Sequence, residues 1–268
     1  MRKTGSTGND ATEWSPIADA DGRFSSGIPD FDHLLGGGFV RGSMALFSAD
    51  ETVGLDDLDR LLLPAYLNFL YQSRGILAVL PSRDSPHDFR ARLTQYATRR
   101  RFDSRVRIID YVGEDEGPPY VVNVRSTQDE PRPRATARKE KETAIAQVVA
   151  AERAVQGGRR NPFIELIAFE VIDTLCGTER ALKMFFQGIK RVRSTGNLGI
   201  GILGPGLGCA PGVRRMSDTE FSLHRDEVGL VLRGVRPSFP ACVVTEDTQR
   251  GAPHVAFVPS PGSGERHA

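Results

Sequence analysis

The sequence predicts one α/β domain, with a largely parallel central sheet flanked by helices and antiparallel strands at its C-terminal edge. Three observations predict it. Short unbroken apolar runs, the mark of strands buried on both faces, alternate with helix-length amphipathic runs. The length of 268 residues fits a single large α/β domain with tails as well as two small domains. Beyond Asp218 the rhythm changes to strands separated by turn-length gaps, the pattern of hairpins at a sheet edge.

The elements follow in order. Residues 1–22 are polar and rich in Gly, Ser, Asp and Thr, and read as a disordered tail ahead of a domain over 23–250. Ser43–Ser48 reads as a buried strand. Leu55–Ser73 reads as a helix with Leu58, Leu61, Leu62, Ala65, Tyr66 and Phe69 on one broad face, and Pro64 inside it predicts a kink or a split. Gly75 closes that run, and Ile76–Leu80 is the next strand. Asp84–Arg101 reads as one charged helix and Arg105–Val112 as a strand. The Pro- and Gly-rich stretch 113–140 predicts an irregular insertion with one strand-like island at Tyr120–Val124. Lys139–Gln156 reads as a helix, Ile164–Phe169 as a strand, Thr178–Arg193 as an amphipathic helix and Leu198–Leu203 as a strand. Glu220–His224, Gly229–Leu232 and Ala241–Val244 are the edge strands, and 251–268 reads as a flexible C-terminal tail with one apolar run at Val255–Val258.

Composition excludes several classes. Thirty-five Lys and Arg stand against thirty-four Asp and Glu, so bulk charge drives binding neither to nucleic acid nor to an anionic membrane. No apolar stretch is long enough to span a bilayer, and the start lacks a signal-peptide core. Three widely spaced cysteines form neither a disulfide framework nor a metal knuckle, which points to a reducing, cytoplasmic setting.

Residues 24–48 read FSSGIPDFDHLLGGGFVRGSMALFS. The order and spacing of Gly27, Pro29, Asp32, Leu34, Leu35, Gly36, Gly37, Gly38, Arg41 and Gly42 resemble the opening of KaiC-like and RadA-like members of the RecA-type P-loop ATPase superfamily. The match departs at Phe31, where Leu is usual. The resemblance extends more loosely over about residues 24–250, and Arg215–Asp218 with Leu232–Pro237 looks like the family's closing hairpin. The Gly run alone reads equally as a turn that needs positive φ. The resemblance implies a RecA-like fold and a nucleotide loop after the first core strand, with backbone N–H groups around phosphate, a Lys on the β/γ-phosphates and a hydroxyl on Mg²⁺.

The aligned loop here is Ala49-Asp50-Glu51-Thr52-Val53-Gly54-Leu55-Asp56. Gly54 survives, Ala49 replaces the first Gly, Leu55 the Lys and Asp56 the hydroxyl. Asp50, Glu51, Asp56, Asp57 and Asp59 place five carboxylates in ten residues, with no Lys or Arg between Arg41 and Arg60. One carboxylate about 5 Å from a phosphate oxygen costs roughly 3 kcal/mol at an effective dielectric near 20. The simpler role for these acids is to cap the following helix, and so to stand electrostatically where phosphate stands in active relatives. By the same resemblance, the magnesium-binding acid falls on Glu170, with Asp173 as a rival. The water-activating Glu falls on Pro81-Ser82-Arg83-Asp84, where only Asp84 is an acid.

The leading expectation is a degenerate KaiC/RecA-like domain, regulatory or scaffolding, with little or no ATP hydrolysis and no cofactor. It would bind protein partners, either copies of itself or the ring of an active KaiC-like relative. An ATPase using ATP and Mg²⁺ through an altered loop is the first alternative. A DNA-binding RecA/RadA paralogue is the second, resting on sixteen Lys and Arg against ten Asp and Glu over residues 90–160. Its clusters are Arg99–Arg101, Arg132/Arg134/Arg138/Lys139/Lys141 and Arg159-Arg160. Acids interrupt them and few aromatics are interleaved, so a solvated face is favoured. Gly204–Gly208 lacks the dinucleotide-binding context and reads as a loop. Met184, Phe185 and Phe186 read as core.

Overall fold

The computed structural model describes residues 14–111, 117–124, 134–157, 161–247 and 254–260, with backbone alone for 134–141 and 144. Chain order begins with a short strand β1 (Arg23–Phe24), helix α1 (Pro29–Leu34) and strand β2 (Phe39–Val40), and β1 and β2 pair as a small antiparallel ribbon. The ribbon leads into β3 (Met44–Ala49), α2 (Leu55–Tyr71), β4 (Gly75–Val79), α3 (Pro86–Thr94), α4 (Arg99–Arg105) and β5 (Val106–Asp110). Then come β6 (Val121–Asn123), α5 (Arg134–Gln156), β7 (Phe163–Ala168), α6 (Phe169–Cys176), α7 (Thr178–Thr195) and β8 (Leu198–Leu203). The chain closes with α8 (Ala210–Met216), β9 (Thr219–Asp226), β10 (Gly229–Arg236), β11 (Ser238–Asp247) and β12 (His254–Pro259).

Ten strands form one sheet in the order β12-β11-β10-β9-β3-β8-β7-β4-β5-β6. Pairing is parallel from β9 through β3 to β6 and antiparallel from β9 to β12. The parallel pairs need crossovers, which the helices supply on both faces. Side chains of β3 alternate accordingly. Ala45 and Phe47 enter the layer under α2, α3 and α4, while Met44 and Leu46 enter the layer under α5, α6 and α7.

The glycine-rich opening is a packed structure. Gly36, Gly37 and Gly38 all have positive φ, and a Cβ on Gly38 would lie 2.3 Å from the Phe24 carbonyl oxygen. Asp32 ties the turn together. Its backbone oxygen accepts the Gly37 and Gly38 N–H groups, and its carboxylate accepts the Ser25 hydroxyl and the Ser26 N–H. Gly27 (φ +77) lets the chain pass where a Cβ would meet the Pro64 carbonyl oxygen at 2.4 Å. Phe31 sits at the centre of an aromatic cluster, with ring centroids of Phe39, Phe221 and Phe257 at 5.7, 5.2 and 5.2 Å. That cluster gives Phe31 its packing role.

Several elements differ from the sequence expectations. Residues 14–22 do not form a loose tail. Trp14 is buried, the Ile17 N–H donates to Asn68 Oδ1 at 2.8 Å, and Asp19 bridges Arg41 and Arg74. These partners all lie outside the segment, so its own polarity does not reveal them. Residues 1–13 lie outside the described residues. At the other end, His254–Pro259 is the outermost strand, hydrogen-bonded to β11; it contains the apolar run Val255–Val258 that the sequence set apart from an otherwise flexible tail. Pro64 does not split α2, which runs unbroken from Leu55 to Tyr71. The helix expected over 84–101 is two helices. Thr98 caps the second, its hydroxyl accepting the Arg101 N–H. Helix α5 begins at Arg134, so the irregular insertion ends earlier than 140; 112–116 and 125–133 are outside the described residues. Phe185 is core, but Phe186 is half exposed beneath Lys190, on the outer face of α7. The loop after β8 leads into α8, an element missed in the sequence.

Candidate functional site

β3 carries Ala49 to the carboxyl edge of the sheet between β8 and β9, and α2 starts at Leu55. The intervening loop is bonded to itself. The Thr52 N–H donates to Asp50 Oδ1 at 2.9 Å, as does the Thr52 hydroxyl. The Val53 N–H donates to the Asp50 backbone oxygen, and the Gly54 N–H donates to Asp57 Oδ2 at 3.0 Å. Asp57 is therefore the acid that reaches back over the helix N-terminus, where it also complements the helix dipole. Asp50, Glu51 and Asp56 are exposed, and Leu55 turns inward toward α2's buried face.

A cation reaches this loop from far along the chain. Arg225, at the end of β9, pairs with Asp57, and the Arg225 backbone N–H donates to the Thr52 hydroxyl at 2.7 Å. Asp57 is 7% exposed, so this pair compensates a nearly buried charge. A second pairing holds Asp59, whose Oδ2 lies 2.6 Å from Arg92 Nε, while Arg92 Nη2 lies 2.5 Å from Asp84 Oδ2. Two carboxylates thus share one guanidinium under α2. Burial, and next the neighbouring Asp84 and Asp56, push the Asp59 carboxyl up from 3.8 to about 6, against the opposing pull of Arg92. A cavity of about 10 Å³ lies here, lined by Leu55, Asp59, Tyr66 and Asp84 among others, with room for about one water.

The strand-end acids are placed as follows. Glu170 lies in the first turn of α6, directly after β7, and its Oε1 accepts the Ser82 N–H and hydroxyl at 2.8 and 2.9 Å. A Cβ on Gly204 would lie 3.7 Å from Glu170 Oε2, so Glu170 faces the end of β8 as well as the end of β4. Asp173 lies one turn on, beside Cys209. Burial first, and Asp173 next, push the Cys209 thiol up to about 11. Asp84 is 4% exposed and held by Arg92, not projecting as a free base. The structure thus brings Ala49–Asp56, Ser82 and Glu170 to one edge of the sheet, with Asp84 beneath. Among the described residues no three His, Cys, Asp or Glu side chains gather as a metal-binding group. Asp57, one of the five acids read from the sequence as helix caps, completes the site with Arg225 and Arg92, which were not singled out there. Asp57 lies three residues after Gly54, the spacing of a helix-capping acid.

A wider cleft of about 450 Å³ opens beside this edge, at the carboxyl ends of β4, β5 and β7. Glu170, Ser82 and Asp84 line it together with Asp110 and Tyr111. Of the basic clusters, Arg99–Arg101 lies on α4, ahead of β5 and so at the opposite end of the sheet. Arg101 covers the Tyr71 ring at 3.8 Å. Arg132, Arg159 and Arg160 lie outside the described residues, as do the side chains of Arg134, Arg138, Lys139 and Lys141. No described helix is long and apolar enough to cross a membrane.

Sheet order, flanking helices and the strand–loop–helix at residues 44–71 define a KaiC/RecA-like P-loop fold. A KaiC-like protein from the hyperthermophilic archaeon Pyrococcus horikoshii OT3 superposes with a TM-score of 0.58 over 87% of this chain and 98% of that one, at 13% identity. The chain belongs to the GvpD basic region 2 family, whose model matches residues 13–258. It is 33% identical over 105 residues to protein GvpD2 of Halobacterium salinarum, covering 39% of this chain and 21% of the relative. It is 38% identical over 80 residues to protein GvpD1 of the same organism, covering 30% of this chain and 15% of the relative. The chain therefore matches about a fifth or less of the length of these two relatives.

Proposed function

We propose that this chain is a regulatory or scaffolding KaiC/RecA-like domain that acts through protein contacts and hydrolyses little or no ATP. One observation carries the reading. The N–H groups of Thr52, Val53 and Gly54, in the loop where active relatives cradle phosphate, donate to Asp50 and Asp57 of the same loop and helix. A phosphate would have to displace a carboxylate and break these bonds while approaching Asp50, Glu51 and Asp56. Each charge-assisted hydrogen bond is worth about 1.5–3 kcal/mol, and each nearby carboxylate costs a similar amount. Arg225 neutralises Asp57 inside the protein, which favours a loop complete without a ligand. The residues present do not fit a nucleoside triphosphate.

The partners consistent with this reading are a second copy of the chain or an active KaiC-like relative. Calorimetric titration with ATP, with and without Mg²⁺, tests the reading, with phosphate release followed on the same sample. The expected result is no binding at millimolar ATP. Micromolar, magnesium-dependent binding overturns it, and phosphate release would then mark a working ATPase. The double variant Leu55→Lys/Asp56→Thr is expected to gain nucleotide affinity only if Asp57 is also neutralised, because the internal carboxylate otherwise keeps the Gly54 N–H.

A further inference from the structure

We propose that the outer face of α5 is a self-association surface, on which a second copy of this chain packs its own α5 antiparallel about a two-fold axis. The assignment rests on the reading of a domain that acts through protein contacts, and names one partner and the surface it uses.

The helix is apolar on two sides. Toward the sheet it buries Ala151 and Val155, with Val148 packed beside them. At about 100° per residue, Ile145, Ala146, Val149 and Ala150 fall on the side away from the sheet. All four are exposed, Ile145 by 54% and Val149 by 36%. The other large apolar residues that are exposed, Val40, Phe186, Val228, Val235 and Val258, lie singly elsewhere on the chain, as surface residues commonly do. Ile145 and Val149 stand one turn apart with Ala146 and Ala150 next to them, so here the exposed apolar surface is continuous. An ion pair of Glu152 with Arg191 of α7 ties the helix down beside this strip, which is therefore presented on a fixed element.

The strip matches its own reverse. Exposed Glu142 lies one turn before Ala146, and exposed Arg153 lies one turn after Val149. When two copies run antiparallel with the axis between residues 147 and 148, Glu142 of each copy stands opposite Arg153 of the other. Ile145 then stands opposite Ala150, and Val149 opposite Ala146, so each large side chain meets a small one. A parallel pairing would instead set Glu142 against Glu142 and Arg153 against Arg153, which repel. This match of charge and size selects a second copy over an unrelated protein, and the two-fold arrangement closes on itself. Glu142 and Arg153 are about 16 Å apart along the helix axis. Contact over that length buries less than the roughly 1,200–2,000 Å² of a standard interface, so the dimer is weak and reversible.

Sedimentation velocity of the chain, over a concentration series reaching the high micromolar range, tests the proposal. The expected result is a reversible monomer–dimer equilibrium. Val149→Glu, at an exposed position that leaves the core intact, should weaken it at least about tenfold. Glu142→Arg and Arg153→Glu should each weaken it, because each sets like charges opposite one another at both ends of the strip. Mixing these two variants should restore the dimer, because antiparallel pairing then brings opposite charges together again. The double variant Glu142→Arg/Arg153→Glu should dimerise by itself for the same reason. Circular dichroism checks that each variant is folded. The proposal is overturned if the chain stays monomeric at every concentration, if folded Val149→Glu associates as the native chain does, or if the mixture associates no more than each charge variant alone. The ATP titration reports on residues 49–56 and sedimentation reports on α5, so the failure of one reading is distinguishable from the failure of the other.

Discussion

Asp59→Asn isolates the electrostatics beneath α2. In the native fold the Asp59 carboxyl titrates at about 6 against 3.8 ordinarily, chiefly because it is buried. The folded chain therefore holds this proton more tightly than the unfolded chain. With the folded pKa raised, protonation contributes stability that is fully present below about pH 4 and lost as pH rises through about 6. A shift of about two units corresponds to about 3 kcal/mol, at 1.36 kcal/mol per unit. The side chain is 23% exposed, so solvent screening removes only part of this. Asn keeps a carbonyl for Arg92 and has nothing to titrate. Urea unfolding of both proteins from pH 3.5 to 7.5 gives the difference in stability, in which groups common to both cancel. That difference should swing toward the variant by about 2–3 kcal/mol across the interval and level off above about pH 6.5. A difference flat to within about 0.5 kcal/mol would refute the assignment of burial as the dominant influence on Asp59.

Further outcomes follow from backbone strain, aromatic packing and the ion pair at the loop. Gly38→Ala, at φ +104 and with its Cβ 2.3 Å from the Phe24 oxygen, should lose about 3 kcal/mol or more in chemical denaturation. Gly22→Ala, at φ +67 with open space, should lose only about 1 kcal/mol. Phe31→Ala should cost about 3–5 kcal/mol, read by thermal unfolding, because it empties the centre of the cluster formed with Phe39, Phe221 and Phe257. Arg225→Ala leaves Asp57 almost buried and unpaired, and should cost about 1–3 kcal/mol, less than a fully buried pair because Arg225 is 43% exposed. Arg225→Ala/Asp57→Asn should recover most of that loss, and a double-mutant cycle with no coupling would show that the pair does not act as a unit.

The central strands were legible because β3, β4, β7 and β8 are covered by helices on both faces and are largely apolar, with the buried Glu165 of β7 paired to Arg191. Hairpins β9–β10 and β10–β11 were legible from their short gaps. What escaped was short or non-local. Helices α1, α6 and α8 have six to eight residues, too few for a helical period to emerge. The break between α3 and α4 was hidden by charge that continues across it, although Ser85 and Thr98 are both capping residues. Residues 14–22 read as a tail because their order depends on Asn68, Gln72, Arg41 and Arg74, all distant in sequence. The order of β12 likewise comes from hydrogen bonds to β11.

The site was half legible for a related reason. The acids after β3 were visible as an excess of charge, and their role as caps was inferred from the helix that follows. Their neutralisation was not visible, because Arg225 is 168 residues from Asp57 and Arg92 is 33 from Asp59. Without those arginines the loop is a locus of repulsion, and the acids argue against a stable strand–loop–helix. With them, each nearly buried carboxylate has a guanidinium, and the loop's N–H groups have internal acceptors. The strand–loop–helix thereby satisfies its own backbone and charge. Leu55 packs over a cavity of only about 10 Å³, so the start of α2 is filled by apolar packing and not by a charge that would need a counter-ion.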